Sequence, residues 1–406
     1  MSDLFTVDAM TNLERVVAYL EGLQKKHIDE RRAAQQDDKL AEHLRAFAER
    51  MEADPAEVAR LLREMRAVRE TMYSRFEIVP WFWIISDIVK SVEKHLSATN
   101  TPAPRIVFGT LATGDINGQI IDHGNQEYLL VTLDDGTIAF ANLLTKAVAE
   151  NLPLKPGGSG LDVERDPKLI EQWINRDFDS HKRFCELFLH YAVDGDPHAA
   201  PPYDPLPEYI RLSTAWRRAM EFFIVSHEFG HACLGHLGTQ EHARIGHLDY
   251  SEIAFDWDKE FQADHFGLKT ALSILRQDNI DPGTIYAGIE MFFYGQEFLY
   301  RTRARFLGAK FADRGTNSHP PLELRLAHLR SVLGEYLNPA ERADALELCD
   351  RVRGMFDTLW PELERQIDLL QRGGTVVHKK WQPRRGLLHR VMERLGIKGG
   401  KRRAAE

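Results

Sequence analysis

Apolar residues return at helical spacing over most of this chain. Leu13, Val16, Val17, Leu20 and Leu23 mark an amphipathic stretch at 12–24, and Leu61, Leu62, Met65 and Val68 mark a second, each set falling on one face every three or four residues. Asp54-Pro55-Ala56-Glu57 opens the second stretch. Asp serves as N-cap, Pro takes the first helical position, and an acid sits in the first turn. Between the two, residues 25–36 are densely charged and read as a solvated helix face or connector. The aromatic cluster Phe76, Trp81, Phe82, Trp83 reads as core, or as a seam with the next domain. Residues 1–98 are therefore expected to form a helical N-terminal region.

Thr101-Pro102-Ala103-Pro104 reads as a linker, and after it the period drops to two. Segments 105–109, 118–121, 127–133 and 137–141 are β-like, separated by Gly114-Asp115, Asn117-Gly118, Gly124-Asn125 and Asp134-Asp135-Gly136. The last of these is a hairpin signal, so a small, mainly antiparallel sheet is expected. Beyond it come a loop at 153–160, a helix at 167–192, and an irregular connection at 195–207 holding five prolines, near which His190 and His198 read as surface residues. Further helices are expected at 212–237, 257–268, 281–311 (rich in Tyr and Phe) and 339–370. The fold class is α+β, predominantly helical.

Composition sets outer bounds. The chain has 406 residues, with 43% hydrophobic and 28% charged, ordinary for a globular protein. The net charge of −9 conceals a split: residues 372–406 hold eleven Lys/Arg against two Glu, a net +9, and the remainder sums to −18. Within that basic segment, 386–396 reads as a short amphipathic helix and 398–403 as a basic tail. Either it is a solvated terminus, or it meets an anionic partner: a membrane surface, nucleic acid or an acidic protein. Cys185, Cys233 and Cys349 are odd in number and far apart, which argues against a disulfide framework and for a reducing compartment. The start, Met1-Ser2-Asp3-Leu4, shows no basic stretch followed by an apolar core. The longest apolar run, 78–85, is well short of the roughly 20 residues that span a bilayer. A cytoplasmic protein with no transmembrane segment is expected.

The chemistry concentrates in His227-Glu228-Phe229-Gly230-His231. Histidines four apart on a helix stack on one face and can grip one metal ion, and the Glu beside the first can reach a metal-bound water without being a ligand. Catalytic zinc sites typically take three protein ligands. The extended form of the motif would need Gly at 234 and His at 237, where this chain has Leu234 and Leu237. His236 lies about 140° round the helix from His231 and is a poor candidate. Glu260 and Asp264, one turn apart on a helix otherwise carrying Phe261, Ala263, Phe266 and Leu268, are better. Glu260 would complete a His, His, Glu site, and Asp264 could accept the free ring N–H of a ligating histidine. The alternative is a solvated acidic pair. Downstream, His319-Pro320-Pro321 ends a loop and opens a helix. His319 would sit at its N-terminus, able to donate to an oxyanion, with Arg325 about two turns in.

Taken in order, His227-Glu228-x-x-His231, Glu260-x-x-x-Asp264 and His319-Pro320-Pro321-x-x-x-Arg325 resemble the gluzincin peptidases of the CAAX-prenyl-protease/HtpX type, and equally the soluble Lit-type phage-exclusion peptidases. The resemblance covers about residues 215–330; the lack of a spanning helix favours the soluble group. It implies a zincin-like metallopeptidase domain over 105–371, with zinc on His227, His231 and Glu260, Glu228 as base, and His319 and Arg325 assisting in the cleft. The sheet would then offer an edge strand to an extended substrate backbone; otherwise it only covers the helices. The function expected is zinc-dependent hydrolysis of peptide bonds in a protein substrate. The competing expectation is a non-proteolytic zinc-site scaffold in a regulatory or phage-defence role.

Overall fold

Strands β1 (Arg105–Leu111) and β3 (Tyr128–Asp134) run parallel, and β2 (Gly118–Ile121) pairs antiparallel with β3, giving the order β1-β3-β2. The sheet is therefore mixed, which corrects the expected antiparallel one. Both its faces are covered. Val107, Leu111 and Leu130 pack under Val16 and Leu20 of helix α1 (Asn12–Gln24), while Ile106, Phe108, Val131 and Leu133 join the main core. Strands buried on both sides need apolar residues at successive positions, so these runs show little alternation.

This computed structural model describes residues 11–28, 42, 45, 46, 48, 49, 54–122, 127–157, 160–176, 178–237, 250–308 and 320–382. Most of the charged connector at 25–36, His319, and the basic stretches 386–396 and 398–403 lie outside them.

The expected fourth strand, 137–141, is instead part of helix α4 (Asp135–Glu150), which is buried along almost its whole length. A helix buried all round has no polar face, so its sequence carries no period to distinguish it from a buried strand. The glycine of Asp134-Asp135-Gly136 answers to packing: a Cβ there would fall 2.4 Å from the Asp115 carbonyl oxygen. Asp135 accepts from the Gly114 N–H, and Thr137 Oγ1 both accepts from the Asn117 N–H and donates to its carbonyl. These residues clamp the loop that leads into β2.

Helices α2 (Pro55–Val68) and α3 (Val79–Ala98) precede the sheet, and α3 places Phe82, Ile85, Val89 and Val92 in the main core. The segment 153–160, expected as a loop, starts a two-stranded ladder of β4 (Leu154–Gly157) and β5 (Gly160–Val163). The helix expected at 167–192 is two, α5 (Pro167–Ile174) and α6 (Phe178–Asp194). The remaining helices are α7 (Pro207–Cys233), α8 (Tyr250–Leu275), α9 (Pro282–Leu307), α10 (Leu322–Val332) and α11 (Pro339–Arg372). The protein is thus a predominantly helical α+β fold. Trp216, Phe222, Phe223, Tyr286, Phe293 and Phe356 fill the centre between α7, α9 and α11. After α11 the chain folds back: His378 N–H donates to the Ala192 carbonyl, Trp381 Nε1 to the Tyr191 carbonyl, and Lys380 Nζ to Asp115 at 2.6 Å. Among the described residues, no helix is long and apolar enough to cross a membrane.

Candidate metal centre

Helix α7 starts at Pro207, where a missing N–H costs nothing, and runs through the fully apolar turn Phe222-Phe223-Ile224-Val225, all buried. Helix α8 lies against it at close range because glycines stand at the contact. A Cβ on Gly230 would be 3.1 Å from Ala263 Cα, and one on Gly267 would be 3.1 Å from the Phe223 carbonyl oxygen. The approach brings the histidine pair of α7 onto the acidic pair of α8.

His227 Nε2 and His231 Nε2 are 3.1 Å apart, and each is 3.5 Å from a Glu260 carboxylate oxygen. These three residues offer ligand atoms within 4.8 Å of one another. Ligands 2.0–2.1 Å from a tetrahedral zinc lie about 3.3 Å apart, so the donor set fits such an ion in both chemistry and spacing. On the far side of the ring, His227 Nδ1 is 3.0 Å from Asp264 Oδ1. Asp264 is fully buried and gripped by the fork of Arg325, Nε at 2.7 Å and Nη2 at 2.5 Å. The same Nη2 is 3.9 Å from Glu260, and the guanidinium lies over the Phe293 ring. Glu260 and Asp264 are both buried, so the solvated acidic pair is set aside. Helix α10 opens at Leu322, so Arg325 stands in its first turn, not two turns in.

Glu228 sits beside this cluster, half-buried, under strand β2. A Cβ at Gly118 would be 3.3 Å from Ile224, a tight approach, and 3.7 Å from Glu228 Oε1, an ordinary contact. Burial pushes the Glu228 carboxyl up; the His227 ring and the Ile120 backbone N–H, which donates to it, pull it down, and the Glu260 charge adds to the rise. Burial alone would also raise Asp264, yet Arg325 and His227 hold it well below the usual carboxylate range. For His227, burial pushes the ring down, but hydrogen bonds to Asp264 and Glu260 outweigh it and lift the imidazole to about 10. Counted with neutral imidazoles, three carboxylates against one guanidinium leave a formal deficit of two positive charges, which a divalent cation would supply; the raised His227 ring, when protonated, offsets one of them.

No family model, curated protein or solved structure matches this chain. Its functional reading therefore rests on its own residues.

Two contacts escaped the sequence reading. His236, five residues past His231, places Nδ1 3.0 Å from His231 Nδ1, and its Nε2 lies 3.2 Å from Gln262 Oε1. The available signal was Gly235, whose φ of +70° ends the helix. Ile120 was the other, and no local pattern marks a backbone N–H that meets a side chain more than a hundred residues away. Cys233 is a free, half-buried thiol outside the cluster, and His190 pairs with Asp194 at 2.7 Å. His198 is exposed, as expected, and lies 3.4 Å from Asp135 and against the Trp81 ring.

Proposed function

We propose that the chain is a zinc-dependent endopeptidase of the gluzincin type, holding Zn2+ on His227, His231 and Glu260. The observation that carries the reading is the convergence of those three side chains at ligand spacing beside a fourth, Glu228, that is free of them. When bound, zinc supplies a Lewis acid that polarises the scissile carbonyl and lowers the pKa of water toward about 7. Glu228, lifted by burial, is suited to take a proton from the attacking water and return it to the leaving amine. Asp264, itself locked by Arg325, holds the His227 ring in one orientation. In this reading Arg325 stands behind the ligands as support for Asp264. His319 remains the proposed oxyanion donor. Among the described residues strand β2 has one neighbour, β3, and an extended substrate would lie along its other side, where Glu228 takes the Ile120 N–H. We assign the protein to the cytoplasm on its three free cysteines.

The test is metal analysis of the purified protein together with mass spectrometry of lysate proteins incubated with wild type and with Glu228→Gln. Wild type should hold one zinc and generate new termini. Glu228→Gln should keep the zinc and lose cleavage by at least about 100-fold, whereas His227→Ala and Glu260→Ala should lose the metal. Undiminished cleavage by Glu228→Gln removes the mechanism; full zinc in Glu260→Ala removes the ligand set.

A further inference from the structure

The two histidines of the centre are backed differently. His227 has the carboxylate of Asp264 behind it, whereas His231 has a second imidazole. We propose that His236 is a positioning residue that decides which nitrogen of His231 carries its hydrogen, an inference that rests on the metal-centre reading above.

Only one hydrogen can lie between His231 Nδ1 and His236 Nδ1 at 3.0 Å. Its direction is set one step further out. His236 Nε2 is 3.2 Å from Gln262 Oε1, a carbonyl oxygen that can only accept. His236 therefore carries its hydrogen on Nε2 and presents a lone pair at Nδ1. His231 then donates from Nδ1, and its Nε2 keeps a lone pair facing His227 and Glu260. If the chain ran in reverse, a hydrogen would occupy His231 Nε2, where a ligand needs its electrons.

The fold builds this contact by stopping the helix. Were α7 to continue, residue 236 would point away from residue 231. Instead Gly235 takes φ +70°, a conformation glycine adopts without strain. The His236 N–H turns back to the His231 carbonyl at 2.9 Å and the Gly235 N–H to that of Ala232 at 3.2 Å. This cap folds a buried His236 ring onto the His231 ring, centroids 5.2 Å apart. Helix α8 pins it twice, through Gln262 and through Lys259, whose Nζ reaches the His236 carbonyl at 3.5 Å.

The experiment uses the full chain with two substitutions and two readouts. In His236→Asn the amide Oδ1 falls where Nδ1 was and can accept the same hydrogen; in His236→Ala nothing does. Chelator competition with Zn2+ and with Co2+ should show affinity falling about 10–100-fold in His236→Ala and returning to within a few-fold of wild type in His236→Asn. Nitrogen-15 spectra of the histidines, recorded without metal, should place the His231 hydrogen on Nδ1 in wild type and His236→Asn, and no longer fix it there in His236→Ala. Wild-type affinity in His236→Ala, or a hydrogen on Nε2 of His231 in the wild type, overturns the proposal. A wild type that binds neither metal yet shows the expected nitrogen pattern sinks the metal centre and upholds the contact.

Discussion

Asp264 has no exposed surface and serves two partners at once, the His227 ring and the Arg325 fork. A buried carboxylate survives only if its charge is answered, and here the answer is a guanidinium 61 residues further along. Two substitutions separate its roles. Asp264→Ala leaves Arg325 buried with its main partner gone and should cost about 3–5 kcal/mol of stability, read by denaturant unfolding of the metal-free protein. Asp264→Asn can still accept from His227 but lacks the charge, and should weaken zinc binding about tenfold. Unchanged zinc affinity in Asp264→Asn would show that the charge does not reach the metal position. At this scale the sequence told much: spacings of three and four residues on single helices made His227, Glu228, His231, Glu260 and Asp264 candidates. Arg325 was legible as a candidate but not as Asp264's partner, because no local period links residues so far apart.

Helices α7 and α8 deliver those residues only if they stay in close contact, and their separation is set by Gly230 and Gly267. A valine at 230 would need room where Ala263 Cα and Phe266 Cβ both stand 3.1 Å from a modest Cβ. The helices must then move apart, at about 1–3 kcal/mol for such overpacking, carrying Glu260 away from the histidine nitrogens. Gly230→Val should keep its helical circular dichroism, melt at a lower temperature and bind zinc at least tenfold more weakly; unaltered zinc binding would mean the glycine does not set the spacing. Gly230 and Ala232 stand as small residues on either side of His231 in the sequence, but nothing local names the helix they admit. Helix α4 shows the opposite case. Its sequence held β-branched and aromatic residues behind an Asp-Gly pair, and only the tertiary burial of all its faces explains why it is helical. The capped end of α7 went unread for a related reason: helical angles place His236 far from His231, and a single glycine cancels them.

Across the molecule, a buried polar knot joins the N-terminal layer to the sheet. Glu77, in the segment before α3, accepts from the Thr110 N–H, from Thr110 Oγ1 at 2.6 Å and from Gln24 Nε2. Gln24 closes helix α1 and also donates to the Thr110 carbonyl. Gly109 leaves room for the knot, since a Cβ there would lie 2.5 Å from Glu77 Oε1 and 2.7 Å from Leu20. Burial raises the Glu77 carboxyl to about 7, against the opposing hydrogen bonds from Thr110 and Gln24. The folded protein thus holds this proton up to about pH 7, while the unfolded chain, with an ordinary Glu, loses it near pH 4.5. Between those limits the unfolded state binds fewer protons, so stability falls as pH rises, by about 3 kcal/mol in all, and the loss is complete above pH 7. Glu77→Gln keeps a neutral acceptor for the Thr110 N–H and Gln24, and its amide can donate to Thr110 Oγ1. Its melting temperature should exceed that of wild type by a few degrees at pH 8 and converge with it near pH 4.5. Parallel pH profiles for the two proteins would show that Glu77 is charged in the fold. Because the knot lies along the outer edge of β1 while Glu228 neighbours β2 at the other edge of the sheet, zinc affinity in Glu77→Gln should stay at the wild-type value, separating a stabilising layer from the chemistry it supports.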